Sequence, residues 1–389
     1  MKNNSFKLNL TIKLLKIMNC ITDYINKQFI KLLSNNYITE INGINEIKLN
    51  NPNLSVEILN KKIKQFYIKH KDKLNEDEIK IYDDINESYF NICDTFYYNK
   101  YHLLFYKTLQ KNTSLTKLNL SSLNLHFNNN SIDLLGEALK YNKSIISLNL
   151  CETFITKIKS IAEALKINKT LKELNIYGNQ IMDIHLLFDV LQYNTSLLKL
   201  NAGFTFDDTF KPFDLSIINN SIRKMILNNH TLQVLNLSNN VIDFKYLDVI
   251  SSNTSLKELN INSCDNINLE IFINALHKNI TLKKLYINNS LTVELDLNLI
   301  SNLLNPKISN CQLEKICLKE IISTNSVTQK EINLFLNNIK SNKYIKTINL
   351  GGNSFDDSIY ETITEFLKYN DINIKIDEDD YYDIEKDAF

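Results

Sequence analysis

Leu171-Lys172-Glu173-Leu174-Asn175-Ile176-Tyr177-Gly178-Asn179 sets out an apolar residue, two variable ones, apolar, one variable, apolar, two variable, then asparagine. The order returns as LTKLNLSSL from Leu115, IISLNLCET from Ile145, LLKLNAGFT from Leu197, LQVLNLSNN from Leu232 and LKELNINSC from Leu256. LKKLYINNS from Leu282, LEKICLKEI from Leu313 and IKTINLGGN from Ile345 complete nine copies. Alternating side chains place the two apolar residues of each L-x-L on one side of a short strand. No single copy buries that side, so the copies must stack, with their strands paired into one parallel sheet.

Between the copies runs a second recurring piece: LLGEALKYNKS, IAEALKINKT, LFDVLQYNTS, SIRKMILNNHT, KYLDVISSNTS and IFINALHKNIT. Apolar residues at i, i+3, i+4 and i+7 predict a helix with one buried face. Each piece ends at an asparagine just before the next strand. With only 6 glycines in 389 residues, asparagine is expected to supply left-handed helix ends and turns. Helices are wider than strands, so the stack should curve with its sheet on the concave side. Copy spacing varies, from 24 residues between Leu232 and Leu256 to 35 between Leu197 and Leu232. The longer gaps mark insertions, such as Asn201 to Asn219.

At the ninth position, Asn179, Asn240 and Asn353 fit a side chain that satisfies loop amides along the stack, and Cys264 fits the known alternative. Leu123, Thr153, Thr205, Ser290 and Ile321 depart from it, which predicts an interrupted ladder. Strand plus full helix, L-x-x-L-x-L-x-x-N/C and N-x-[ST]-L before the next strand together resemble the ribonuclease-inhibitor-like class of leucine-rich repeats, which also supplies the repeat regions of NOD-like receptors. The resemblance covers about Asn112 to Ile376. It implies an α/β solenoid, a horseshoe with outer helices. It says little of function, because the class binds many unrelated proteins.

The expected organisation is a mainly helical region over 1–100, the repeat array over 101–376 and an acidic tail over 377–389. Within the first region, Ile44 to Leu49 reads as a degenerate strand, and the aromatic segment Tyr89 to Tyr106 as a helical cap for the open end of the array. Ile372, Ile374 and Ile376 read as a last strand.

Composition narrows the function classes. Lys+Arg and Asp+Glu are both 44, so the basic excess of a nucleic-acid binder is missing. Arg223 is the single arginine, which leaves little for phosphate clamping. It lies in a helix, without acids in its local sequence. Cys20, Cys93, Cys151, Cys264, Cys311 and Cys317 form no C-x-x-C pair, and no histidine stands at metal spacing. No phosphate-binding glycine loop or nucleophile elbow occurs. No catalytic residue, metal or cofactor is expected. N-x-S/T triplets such as Asn112-Thr113-Ser114 recur, but the start of the chain shows no secretory or membrane-spanning run. The richness in asparagine, isoleucine and lysine resembles proteins of AT-rich genomes.

The expectation is a monomeric cytoplasmic scaffold that binds a protein on its concave face. An alternative is a regulatory or ubiquitin-pathway adaptor whose residues 1–100 carry the activity. A third is an enzyme inhibitor, by analogy with the class. Alternation exposes three columns: Asn119, Asn149, Asn175, Asn201, Asn236, Asn260, Tyr286, Cys317 and Asn349, with one column before and one after. Binding requires positions that break the repeat, and aromatic and charged groups give most affinity. The candidates are Tyr177, Phe204, Tyr286, Lys284, Lys315 and Lys319, with Asn175, Asn236 and Asn260 from the amide column.

Overall fold

The structure is a computed structural model that describes Ser34 and residues 38–42, 46–49, 102–121, 131–206, 214–264, 269–288, 296–322, 327–353 and 355–376. Ten three-residue strands follow the chain: β3 Lys117–Asn119, β4 Ser147–Asn149, β5 Glu173–Asn175, β6 Lys199–Asn201, β7 Val234–Asn236, β8 Glu258–Asn260, β9 Lys284–Tyr286, β10 Lys315–Cys317, β11 Thr347–Asn349 and β12 Asn373–Lys375. Each pairs in parallel with the next, without a register slip. The nine repeat copies thus carry β3 to β11 at their third to fifth residues, and β12 falls inside Ile372 to Ile376.

The helices alternate with the strands. They are α1 His102–Lys111, α2 Ser131–Tyr141, α3 Lys159–Ile167, α4 Ile184–Leu191, α5 Leu215–Asn228, α6 Leu269–Leu276, α7 Leu297–Leu304, α8 Gln329–Ser341 and α9 Asp357–Lys368. Between β7 and β8 stands a 3-10 helix, Phe244–Ser252, where the apolar spacing had predicted an ordinary helix. This is the 24-residue repeat. A 3-10 helix rises about 2.0 Å per residue against about 1.5 Å, so a given length of it needs fewer residues. Leu247 and Ile250, three apart, are fully buried, as three residues per turn requires.

The core lies between sheet and helices. The middle residue of every strand from β3 to β11 is at most 1% exposed, and the helices meet it with residues such as Leu135, Ile161, Phe188, Ile222 and Phe335. The open face of the sheet carries the flanking strand residues. This is the strand-inward, helix-outward arrangement expected of stacked repeats.

At the N-terminal edge, β1 Ile38–Asn42 pairs in parallel with β3, and β2 Glu46–Leu49 pairs antiparallel with β1. The expected strand at Ile44 to Leu49 exists over its last four residues. It is the outer arm of a hairpin, however, and β1 takes the repeat-like register. Of the aromatic cap, Phe105 and Tyr106 are buried in α1, edge to face at 5.0 Å. Its residues 89–101 and the acidic tail 377–389 lie outside the described residues.

Candidate functional site

Three asparagine roles shape the open face and its rims. The first is in the strand itself. Oδ1 of Asn149, Asn175, Asn201, Asn236, Asn260 and Asn349 accepts the backbone N–H two residues on, at 2.9–3.2 Å. That N–H would otherwise continue the ladder toward the preceding strand. Pairing toward the following strand persists, as in Leu150 N to Asn175 O and Glu152 N to Tyr177 O. In those six strands the asparagine takes up the N–H that would extend pairing. After β9 and β10, where the position is Tyr286 and Cys317, Oδ1 of Asn262 and of Asn288 takes the equivalent N–H of Asn288 and Lys319. Neighbouring amides along the column do not bond each other among the described residues.

The second role is at the ninth position. Asn179 Nδ2 donates to Leu150 O and Ile176 O, and its Oδ1 accepts from Thr153 N and Ile155 N. Asn240 and Asn353 repeat this toward the preceding repeat, and Cys264 Sγ donates to Leu237 O at 3.2 Å. Where the ninth residue is Thr153 or Thr205, its hydroxyl closes its own turn on the carbonyl three residues back. The expected interruption is therefore softened there: the next repeat's asparagine serves the turn. Leu123 and Ser290 lie outside the described residues.

The third role was misread from the sequence. Asn168, Asn229, Asn253 and Asn342 at the helix ends have φ between −67° and −86° and extended ψ, not left-handed backbone. Oδ1 accepts two N–H groups of the following turn, and Nδ2 reaches back to the preceding repeat. Asn168 holds Thr170 N and Leu171 N at 2.8 Å, and donates to Leu139 O at 2.7 Å and Asn142 O at 3.2 Å. Among the described residues, positive φ falls instead on strand-exit turns, at Glu152, Phe154, Phe204, Asn239, Ser263 and Glu320, with Gly178 and Gly352.

Two phenylalanines depart from the chemistry of those turns, Phe154 at φ 57° and Phe204 at φ 48°. A bulky side chain there is strained, and these are 60% and 49% exposed, so burial does not compensate. The Phe204 ring lies 6.4 Å from that of Tyr177, tilted by 43°. Tyr177 is half-buried, and its ring occupies the space beside Gly203. A Cβ there would stand 2.8 Å from Tyr177 Cδ2. Sequence reading chose Tyr177 and Phe204 but not Gly203, whose role is visible only once β5 and β6 are side by side.

The remaining candidates separate by position. Asn175 and Asn236 are half-buried and Asn260 is buried at 7%. Lys284 is exposed and pairs with Glu258 at 3.1 Å; Lys199 and Glu173 make the equivalent pair between β5 and β6. Lys315 places Nζ 5.2 Å from the centre of the Tyr286 ring. Tyr286 and Lys319 are corrected: they are 5% and 6% exposed, not open. Alternation decides which face a side chain takes, not how tightly that face is packed. From β8 to β11 the whole central column is buried, as Asn260, Tyr286, Cys317 and Asn349 show. The accessible candidates gather on β5 to β7, with Lys284 and Lys315 beyond.

Chemistry is sparse. Burial pushes the Cys311 and Cys317 thiols up to about 11, which keeps them protonated and inert. Among the described residues, no group of three or more His, Cys, Asp or Glu is placed to hold a metal, and no helix is long and apolar enough to cross a membrane. Arg223 does have an acid, from the next repeat: Nε and Nη2 meet the two carboxylate oxygens of Asp248 at 3.2 and 3.3 Å.

No family model matches the chain, and no curated protein matches it. Solved structures do. An internalin (inlF) from Listeria monocytogenes aligns with a TM-score of 0.42 at 15% identity, over 70% of this chain and 64% of that one. The yeast Rad7 and Elc1 complex gives 0.42 at 17%, over 67% and 70%. Internalin C2 from Listeria monocytogenes gives 0.37 at 20%, over 62% and 83%. The fold stands on the chain's own construction, with one strand for each of nine sequence copies, leucines inward and an unbroken parallel register. It is the fold of a leucine-rich-repeat solenoid.

Proposed function

We infer that the chain is a non-catalytic scaffold that binds a partner protein on the open face of its sheet, centred on Tyr177 and Phe204. The observation that carries this is the aromatic pair itself. Phe204 holds a left-handed backbone that favours glycine, keeps half its surface in water, and stands against a Tyr177 ring for which Gly203 leaves room. Folding alone gains little from that arrangement. Aromatic groups at the centre of an interface supply much of its affinity. Asn175 and Asn236 flank the pair as polar contacts, with Lys284 and Lys315 farther along the sheet. The protein works as a monomer in the cytoplasm, with neither cofactor nor nucleic acid. The adaptor alternative rests on residues 1–100, of which only Ser34 and the β1–β2 hairpin are described.

The test separates binding from stability. Phe204→Gly relieves left-handed strain worth about 1 kcal/mol, so the array should unfold at an equal or higher denaturant concentration. Partner capture from a lysate of the source cells should fall for Phe204→Gly and Tyr177→Ala alike. It should persist for Arg223→Gln on the helical side. Equal capture by all three variants would remove this site.

A further inference from the structure

We propose that N-linked glycosylation and folding of this array are mutually exclusive, so that the chain is built for a compartment where oligosaccharide transfer does not occur. The inference rests on the helix-end asparagines and is independent of the binding site. Seven of them stand in N-x-S/T triplets: Asn112-Thr113-Ser114, Asn142-Lys143-Ser144, Asn168-Lys169-Thr170, Asn194-Thr195-Ser196, Asn229-His230-Thr231, Asn253-Thr254-Ser255 and Asn279-Ile280-Thr281. Each is an acceptor motif by sequence. Each asparagine is also at most 3% exposed.

The atom that would carry the sugar is already engaged. In Asn142, Asn168, Asn229, Asn253 and Asn279, Nδ2 donates to two carbonyls of the preceding repeat, at 2.5–3.3 Å. In Asn194 it donates to Leu165 O at 2.8 Å. The third residue of the triplet is structural too. The hydroxyls of Ser144, Ser196, Ser255 and Thr281 donate to the carbonyl of the preceding repeat's helix-end asparagine at 3.1–3.2 Å. In the six triplets from Asn142 to Asn279 the motif is thus a repeat-to-repeat clamp that happens to spell an acceptor site; Asn112 Nδ2 meets Ser114 Oγ of its own triplet at 3.4 Å.

Transfer from a lipid-pyrophosphate-linked oligosaccharide forms a bond from Nδ2 to the first sugar carbon, releases the lipid pyrophosphate and removes one Nδ2 proton. One N–H would remain for two buried carbonyls, and the sugar would stand where the neighbouring repeat packs. A polar group buried without its partner is costly, and a sugar between repeats opens the stack. Transfer acts on the unfolded chain, before the clamp can form. The triplets Asn119-Leu120-Ser121 and Asn236-Leu237-Ser238 lie on half-buried strand exits, and the exclusion does not extend to them.

The test translates the full chain behind a cleavable signal peptide into microsomes, with or without an excess acceptor tripeptide that blocks transfer. Protease resistance and glycopeptide mapping are read together, against the chain made without the signal. Without the tripeptide, the array should carry glycans at the helix-end asparagines and be digested. With it, the array should resist like the signal-free chain. A resistant array bearing a glycan on any of the six from Asn142 to Asn279 would overturn the proposal. So would resistance without the tripeptide and without glycans at those six, sensitivity in both arms, or sensitive chains free of glycan at all six.

Discussion

Asn168 shows what a single side chain does in this molecule. It satisfies two N–H groups of its own turn and two carbonyls of the preceding repeat. Asn168→Ala leaves four backbone groups without this partner, three of them at buried contacts, each buried one worth about 1–3 kcal/mol. The expected loss is at least about 3 kcal/mol, measured by urea denaturation. Asn168→Asp keeps the acceptor and loses the donor, so it should lose part of that stability. An unchanged midpoint in both would show the clamp to be dispensable. The sequence announced these asparagines through their fixed place three residues before the first apolar residue of each copy. Their chemistry was not legible, because the carbonyls they reach are about one repeat away in the chain. Tyr286 and Lys319 were misjudged for a related reason: the pattern carries face, while burial depends on what packs over that face.

The two buried thiols make a second residue-level prediction. Cys311 and Cys317 rise from 9.0 to about 11 through burial. A group whose folded value is raised contributes stability that is fully present below its unfolded value and lost as pH rises through the folded one. The thiol contribution should therefore be flat below about pH 9 and disappear between about pH 9 and 11. The Cys311→Ala and Cys317→Ala variants should lose less stability across that window than the parent. Native alkylation at pH 8, mapped by mass spectrometry, should spare both until the chain unfolds.

At the scale of elements, helix packing is tighter than the amphipathic pattern reveals. Gly136 in α2 lies against Ser160 in α3; a Cβ there would stand 2.6 Å from the Ser160 backbone carbon and oxygen. Gly136→Ala would normally favour a helix by about 1 kcal/mol. Here overpacking of about 1–3 kcal/mol opposes it, so the variant should be no more stable than the parent by thermal unfolding. A clear gain would mean that α2 and α3 pack more loosely. The 3-10 helix at Phe244–Ser252 was hidden from periodicity, since apolar residues at i and i+3 suit either helix. Repeat length was the available signal, as this is the shortest spacing between copies, 24 residues. Arg223 and Asp248 pair between α5 and this 3-10 helix, a contact no local sequence window could reveal.

Across the whole molecule, the sheet was legible because nine copies impose one register, and that register places Tyr177 beside Gly203 and Phe204. The hairpin at β1 and β2 was less legible, because it lacks the inward leucine spacing of the repeats. The claim on which the functional account depends is that a partner protein meets the open face at the aromatic pair. The most direct measurement places a photo-crosslinking phenylalanine analogue at Tyr177, at Phe204 and, as a control, at Tyr193, which is exposed at the end of α4. Irradiation in the source cells should give the same protein adduct from positions 177 and 204 and none from 193. No adduct at either site, or identical adducts at all three, would contradict the account.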